Sequence, residues 1–273
     1  MTPLLHAAGA LTLLALLALP TRAAAEDTQP GRIFRDCTEA YCPEMVWLPR
    51  GSFMMGSLPA DPDQSRGENP RHRVRINYPL AVGRFEVTFE QFDACVADGG
   101  CTHRPADEKW GRDQRPVINI NWHDAQQFVA WLSGKTGQRY RLLSEAEWEY
   151  SARAGQNAKY GAVDQIEQLA EHANWDGSKQ RRTIAVGQLK ANAWGLHDMI
   201  GNSREWVEDC HHDDYRGAPS NGSAWLGGDC TRRLMRGGSW YDYALQQRAS
   251  QRVDFQAGFR AFNFGLRVAR TPS

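Results

Sequence analysis

From Gly155 to the C-terminus the chain carries no apolar pattern of helical length. This segment is rich in Gly, Asn, Asp and Trp and contains only short apolar runs. Periodicity at 3.6 or 2 residues is what normally commits a segment to a helix or a strand. A segment without it needs side-chain networks, disulfides or ions to hold its shape. The whole chain has ten Trp and 25 Gly in 273 residues, which fits aromatic packing and tight turns better than long helices. Hydrophobic residues make up 41% and charged residues 23%, so a core can form and disorder is excluded as the main state. Lys+Arg and Asp+Glu are equal at 32 each. That balance argues against a nucleic-acid partner, which needs a basic excess.

Residues before Gly155 are more regular. Met45-Val46-Trp47-Leu48 and Ser52-Phe53-Met54-Met55 read as short strands around Pro49-Arg50-Gly51, and residues 57–72 as a loop. Val74 and Ile76 alternate with polar neighbours as in a half-buried strand. Three helices are predicted from their caps. Thr88 with Gln91 opens the first, and Gly99-Gly100 ends it. Asn121 opens the second, with Asp124 in its first turn and Gly134 as its expected stop. Ser144 with Glu147 opens the third, which runs to Gly155. No repeat or linker divides the chain, so residues 43–272 are expected to form one domain, preceded by a polar leader over 26–42.

Residues 1–25 have the form of an export signal. The segment from Ala7 to Pro20 is apolar and is followed by Ala23-Ala24-Ala25, a small-residue cleavage site. It is shorter than the ~20 residues a spanning helix needs, and no other run is long enough. The expected product is periplasmic or secreted, with no membrane span in the mature chain. Six cysteines fit that setting. They fall into local groups, Cys37/Cys42, Cys95/Cys101 and Cys210/Cys230. Pairing within each group is the simplest of the 15 possible arrangements. No CxxC or zinc-finger spacing offers a metal site instead.

Motifs of common enzyme classes are missing. There is no phosphate-binding GxxxxGK[ST], no dinucleotide-binding GxGxxG, no HExxH and no GxSxG elbow. His211-His212-Asp213-Asp214 reads as a solvated loop, and His103, His123, His172 and His197 are scattered. Asn202 and Glu205 stand three apart in a Gly-rich turn, a pattern that suits either two oxygen ligands of a hard cation or a helix cap.

Ordered blocks carry a resemblance. They run from Met45-Val46-Trp47-Leu48-Pro49-x-Gly51-Ser52-Phe53-x-Met55-Gly56 through Glu86-Val87-Thr88 to Arg141-Leu142-Leu143-Ser144-Glu145-Ala146-Glu147-Trp148. They continue with Asp198-Met199-x-Gly201-Asn202, Glu205-Trp206, Arg236-Gly237-Gly238-Ser239-Trp240 and Gly265-Leu266-Arg267-Val268. The chain resembles the formylglycine-generating enzymes, or sulfatase-modifying factors. The resemblance implies an α+β, C-type-lectin-like fold with little regular secondary structure. It also implies structural Ca²⁺, for which Asn202 and Glu205 are candidates, with Asn174 in a second region. Family enzymes oxidise a sulfatase cysteine with O₂ and copper held by two cysteines after the Gly-Gly-Ser block. Here those positions are Asp242 and Gln247, and no cysteine follows Cys230. Soft thiolates select Cu(I), so copper and the standard activity are not expected.

Two classes of function remain. One is a divergent exported oxidative enzyme, as in the family branch that matures the siderophore pyoverdine in the periplasm. The branch that makes sulfoxides with iron needs clustered His ligands that this sequence does not display. Trp240, Asp242, Gln247, Arg248 and Arg252 are the candidates to line a pocket, with Asp242 either a general base or a turn residue. The other class is a binding module or envelope partner, using Trp175, Trp194, Trp225 and Trp240 as a surface. The substrate, or the exported protein or peptide partner, is not specified by these residues.

Overall fold

The computed structural model describes residues 26–58 and 61–272, so the expected export signal over 1–25 lies outside the described residues. The strands are β1 (Ile33–Phe34), β2 (Met45–Trp47), β3 (Gly51–Met55), β4 (His72–Ile76) and β5 (Ala81–Gly83). After helices α1 (Phe89–Ala97) and α2 (Trp122–Thr136) come β6 (Tyr140–Leu142) and helices α3 (Glu145–Arg153) and α4 (Ile166–Leu169). The second half holds β7 (Arg204–His211), β8 (Asp229–Arg236), β9 (Val253–Gln256), β10 (Phe264–Leu266) and β11 (Val268–Arg270).

The three expected helices start where their caps stand. Thr88, Asn121 and Ser144 each accept from the backbone N–H three residues on, and Gln91, Asp124 and Glu147 return the bond. Gly134 does not stop α2. The helix runs on to Thr136 and ends at Gly137, whose left-handed φ of 68° breaks the ladder. A glycine inside a helix costs only about 1 kcal/mol, which the packing of Phe128, Val129 and Leu132 offsets. The polar leader over 26–42 is joined to the fold. Its Ile33–Phe34 pairs antiparallel with β2, and Cys37–Cys42 closes its loop.

Three sheets form, in the orders β1-β2-β5-β11-β6, β10-β7-β8-β9 and β3-β4. The first two divide two cores. Met45, Trp47, Ala81, Val268, Trp206 and Met235 face one core with Phe89, Phe92 and Phe128. Their strand neighbours Val46, Leu48, Val82, Ala269, Val207 and Leu234 face the other with Trp148 and Ile76. Alternation along a strand thus serves two cores at once. All three disulfides pair within the expected groups: Cys37–Cys42, Cys95–Cys101 and Cys210–Cys230. Among the described residues no helix is long and apolar enough to cross a membrane.

Charge is buried between the cores. Arg236, with no exposed surface, donates to Glu145 Oε1 at 2.9 Å, to Glu149 Oε2 at 2.6 Å and to the carbonyls of Ala249 and Ser250. Glu149 also accepts from Arg153 and from the backbone of Gly56. The network ties α3 to β8, to Gly56 just after β3 and to the segment before β9. Arg236→Met leaves Glu145 and Glu149 with fewer counter-charges in a dry site and is expected to cost about 3–5 kcal/mol. Urea unfolding followed by circular dichroism measures it; a loss below about 1 kcal/mol contradicts this role.

Candidate functional site

The turn that leaves β8 positions the first cluster. Gly237 and Gly238 take φ of 98° and 67°. A Cβ at Gly238 would stand 2.5 Å from Gln247 Oε1 and 2.8 Å from the carbonyl of Gln246, so only glycine passes. Beyond the turn, Ser239 Oγ donates to Asp242 Oδ2 at 2.5 Å and accepts from Asn263 at 3.0 Å. Asp242 Oδ1 accepts from Arg204 Nη2 at 2.7 Å. Gln247 donates to the carbonyls of Ser239 and Asp242, while its Oε1 is buried without a partner.

Aromatic rings cover this polar cluster. Trp240 packs against Trp110, Tyr241 and Phe262 with ring centres 5.2–5.5 Å apart. Tyr241 is 59% and Tyr243 68% exposed. The turn therefore offers an apolar ring surface beside a largely buried Arg–Asp pair. Both Asp242 oxygens are engaged, one by a guanidinium and one by a hydroxyl, so the side chain acts as an anchor of the turn.

Trp240, Asp242 and Gln247 come together, whereas Arg248 and Arg252 point elsewhere. Arg248 makes a bidentate pair with Glu68 at 2.6 and 2.7 Å. Arg252 makes one with Glu145 at 2.8 and 3.0 Å. The four tryptophans proposed as one surface are also apart. Trp194 packs on Tyr150, Trp225 on His212, and Trp175 against the second core.

A second cluster surrounds Asn202 and Glu205. Glu205 lies in β7, which removes the helix-cap reading. Its carboxylate accepts from Arg267 Nε at 2.9 Å and Trp148 Nε1 at 2.6 Å. Asn202 Oδ1 already accepts from Ile184 N and Asn174 Nδ2, and Asn174 Oδ1 from Ser178. Both amides thus brace loops. Two carboxylates not singled out from the sequence complete the cluster. Glu86 accepts from Ser203 and Asn202. Asp198 Oδ2 accepts from Gly187 N at 2.7 Å, while its buried Oδ1 has no partner.

Burial pushes all three acids up. Glu86 rises well above its ordinary value, burial first and then repulsion from Asp198 and Glu205. Asp198 is raised to about 6, and Glu205 is raised, by the same loss of water. Loss of water favours the neutral form of these acids, and the guanidinium of Arg267 is the counter-charge that faces them. Among the described residues no three His, Cys, Asp or Glu side chains converge as a ligand set. Asp198 Oδ1, buried and without a partner, is the oxygen that a cation here would meet first. The signal for Asp198 and Glu86 lay in the quoted blocks, but Glu86 meets Ser203 only across 117 positions.

Copper does not fit this chain. All six cysteines are in disulfides, so no thiolate is left for Cu(I). The scattered histidines stay scattered: His103, His172 and His197 each face a different backbone carbonyl. His211 stands between Asp213 and Asp254 at 3.3 and 3.2 Å.

A compact α+β fold with a Gly-Gly-Ser turn under aromatic rings defines a class. Residues 29–272 match the model of the sulfatase-modifying factor enzyme 1-like domain, and the chain belongs to that family. It is 32% identical to the formylglycine-generating enzyme of Bos taurus, over 83% of this chain and 74% of the relative. It is 28% identical to the serine/threonine-protein kinase pkn1 of Chlamydia caviae over 83% of this chain, which spans only 38% of that relative's length. Among solved structures, PvdO from Pseudomonas aeruginosa has 38% identity and a TM-score of 0.79, covering 89% of this chain and 99% of that one.

The burial of His212 beside Trp225 is expected to make stability depend on pH. The rings lie parallel, 9° apart, at 3.5 Å. Burial first, then Arg252 and His211, hold His212 below its ordinary value, while the Cys210 carbonyl and Glu145 oppose this. A depressed histidine contributes stability that is present above the unfolded value, about 6.5, and is lost as pH falls through the folded one. The expected outcome is a fall in unfolding midpoint below pH 6.5 that His212→Gln makes shallower. Equal slopes in urea titrations of the two proteins would contradict it.

Proposed function

We propose that this chain is an exported oxidative maturation enzyme that works without the Cu(I) cysteine pair. Its substrate rests on the rings of Trp110, Trp240, Tyr241 and Phe262, above the Arg204–Asp242 pair. One observation carries this reading: the positions that the family resemblance gives to copper ligands hold Asp242 and Gln247, both hydrogen-bonded into the turn. Arg204 orients Asp242, Asp242 orients the Ser239 hydroxyl, and the rings exclude water from the three. The apolar segment Ala7 to Pro20 with its Ala23-Ala24-Ala25 site, read as an export signal, and the three disulfides support a periplasmic or secreted setting. Of the family branches, the one that matures pyoverdine suits an exported chain without the cysteine pair.

The exposed rings also support a second reading, a lectin-like binding module or envelope partner that holds its ligand without turnover. One experiment separates the two. The protein is incubated in air with immature pyoverdine peptide, and separately with Cu(I) and a sulfatase peptide bearing the target cysteine. The expected result is oxidation of the siderophore peptide by mass spectrometry, lost in Trp240→Ala, and an unchanged cysteine. Formylglycine would overturn the copper-free reading. Binding of the siderophore peptide without oxidation would favour the module.

The proposal includes a structural Ca²⁺ held by Asp198 and Glu205. Supplying Ca²⁺ after chelation is expected to raise the melting temperature, with stabilisation near 2.7 kcal/mol at 100 times the dissociation constant. Asp198→Asn removes the rise. An unchanged melt of the wild-type protein would overturn the site.

A further inference from the structure

A wide groove lies away from the Trp240 turn and shares no residue with it. It measures about 910 Å³ and runs between β4, the N-terminal half of α2, β6 and the loop 220–226. That volume is at the upper end of sites for small ligands. Its walls are fixed in advance. Ser144 Oγ donates to the carbonyl of Gly222 at 2.7 Å, and Arg75 N to that of Ser220 at 2.9 Å. Trp225 N donates to Asp209 at 2.8 Å, and Cys210–Cys230 holds the far end of the loop.

Charge in the groove is unbalanced. Arg141 is neutralised by a bidentate pair with Glu147 at 2.6 and 2.7 Å. Arg75 and Arg139 are both exposed and line the same groove, and among the described residues neither has a carboxylate partner. The remaining acid, Glu208, is held by Gln126, and burial pushes its carboxyl up. Two free guanidiniums prefer planar carboxylates, which each can hold through two hydrogen bonds. Asn77 and Asn221 add amides that can pair with a peptide backbone, and Ala130 and Leu226 add an apolar strip. The chain as a whole is neutral, so this local excess is not part of a general basic surface.

We infer that this groove binds an acidic peptide segment of a partner protein, with carboxylates on Arg75 and Arg139 and an apolar side chain on Leu226. It stands independently of any reaction at the Trp240 turn. The probe is a fluorescent hexapeptide alternating glutamate and leucine, titrated against the protein by anisotropy at low and high salt. Saturable binding is expected, weaker at high salt because exposed charges are screened. Arg75→Ala combined with Arg139→Ala is expected to reduce affinity about tenfold or more. Both sites are exposed, so the melting temperature should hold. Arg50→Ala, an exposed arginine outside the groove, should bind as the wild type. The inference is overturned by an absence of saturable binding or by equal binding of the lysine–leucine counterpart. It is overturned equally if the double variant keeps its affinity, or if Arg50→Ala loses as much.

Discussion

Arg236 is the point on which the molecule turns. Its guanidinium faces Glu145 and Glu149 of α3 and the carbonyls of residues 249 and 250, and it lies over the Trp148 ring. Removing these charges from water is costly, and their attraction compensates only where the geometry is close to ideal. Such a network adds little net stability, but it admits one arrangement of its parts. Because Gly237 and Gly238 follow Arg236 directly, the ion pairs also set where the Ser239–Asp242 turn leaves the sheet.

The same principle explains what was legible in the sequence. Helix starts are local, since Thr88, Asn121 and Ser144 are each satisfied within three residues. The eight-residue strands β7 and β8 were not legible. In β7, Arg204 shares a face with Trp206 and Glu205 the other with Val207, and an irregularity between Trp206 and Cys210 shifts the alternation beyond them. Charges buried on both faces erase the alternation that marks a strand, and each is satisfied by a partner far along the chain. The pocket candidates divide likewise. Gln247 finds its partners within the turn, and Asp242 is held there by Ser239 and from β7 by Arg204. Arg248 is drawn to Glu68 and Arg252 to Glu145, across 180 and 107 positions, and no local pattern announces that.

The family relationship carries the fold further than the chemistry. A fold fixes where a turn presents its side chains, not which elements those side chains bind. Here the turn under the aromatic rings presents a carboxylate and an amide, hard donors that are already hydrogen-bonded. The six cysteine sulfurs of the chain are all engaged in disulfides.

Those disulfides have a consequence for how the chain is made. Each closes a short span, of five, six and twenty positions, and no bridge encloses another. Loop closure is favoured at short separation. As the polypeptide emerges from its N-terminus, each cysteine meets its partner before the next pair has appeared. The order of emergence therefore selects one of the 15 pairings, and oxidation can keep pace with synthesis without later reshuffling.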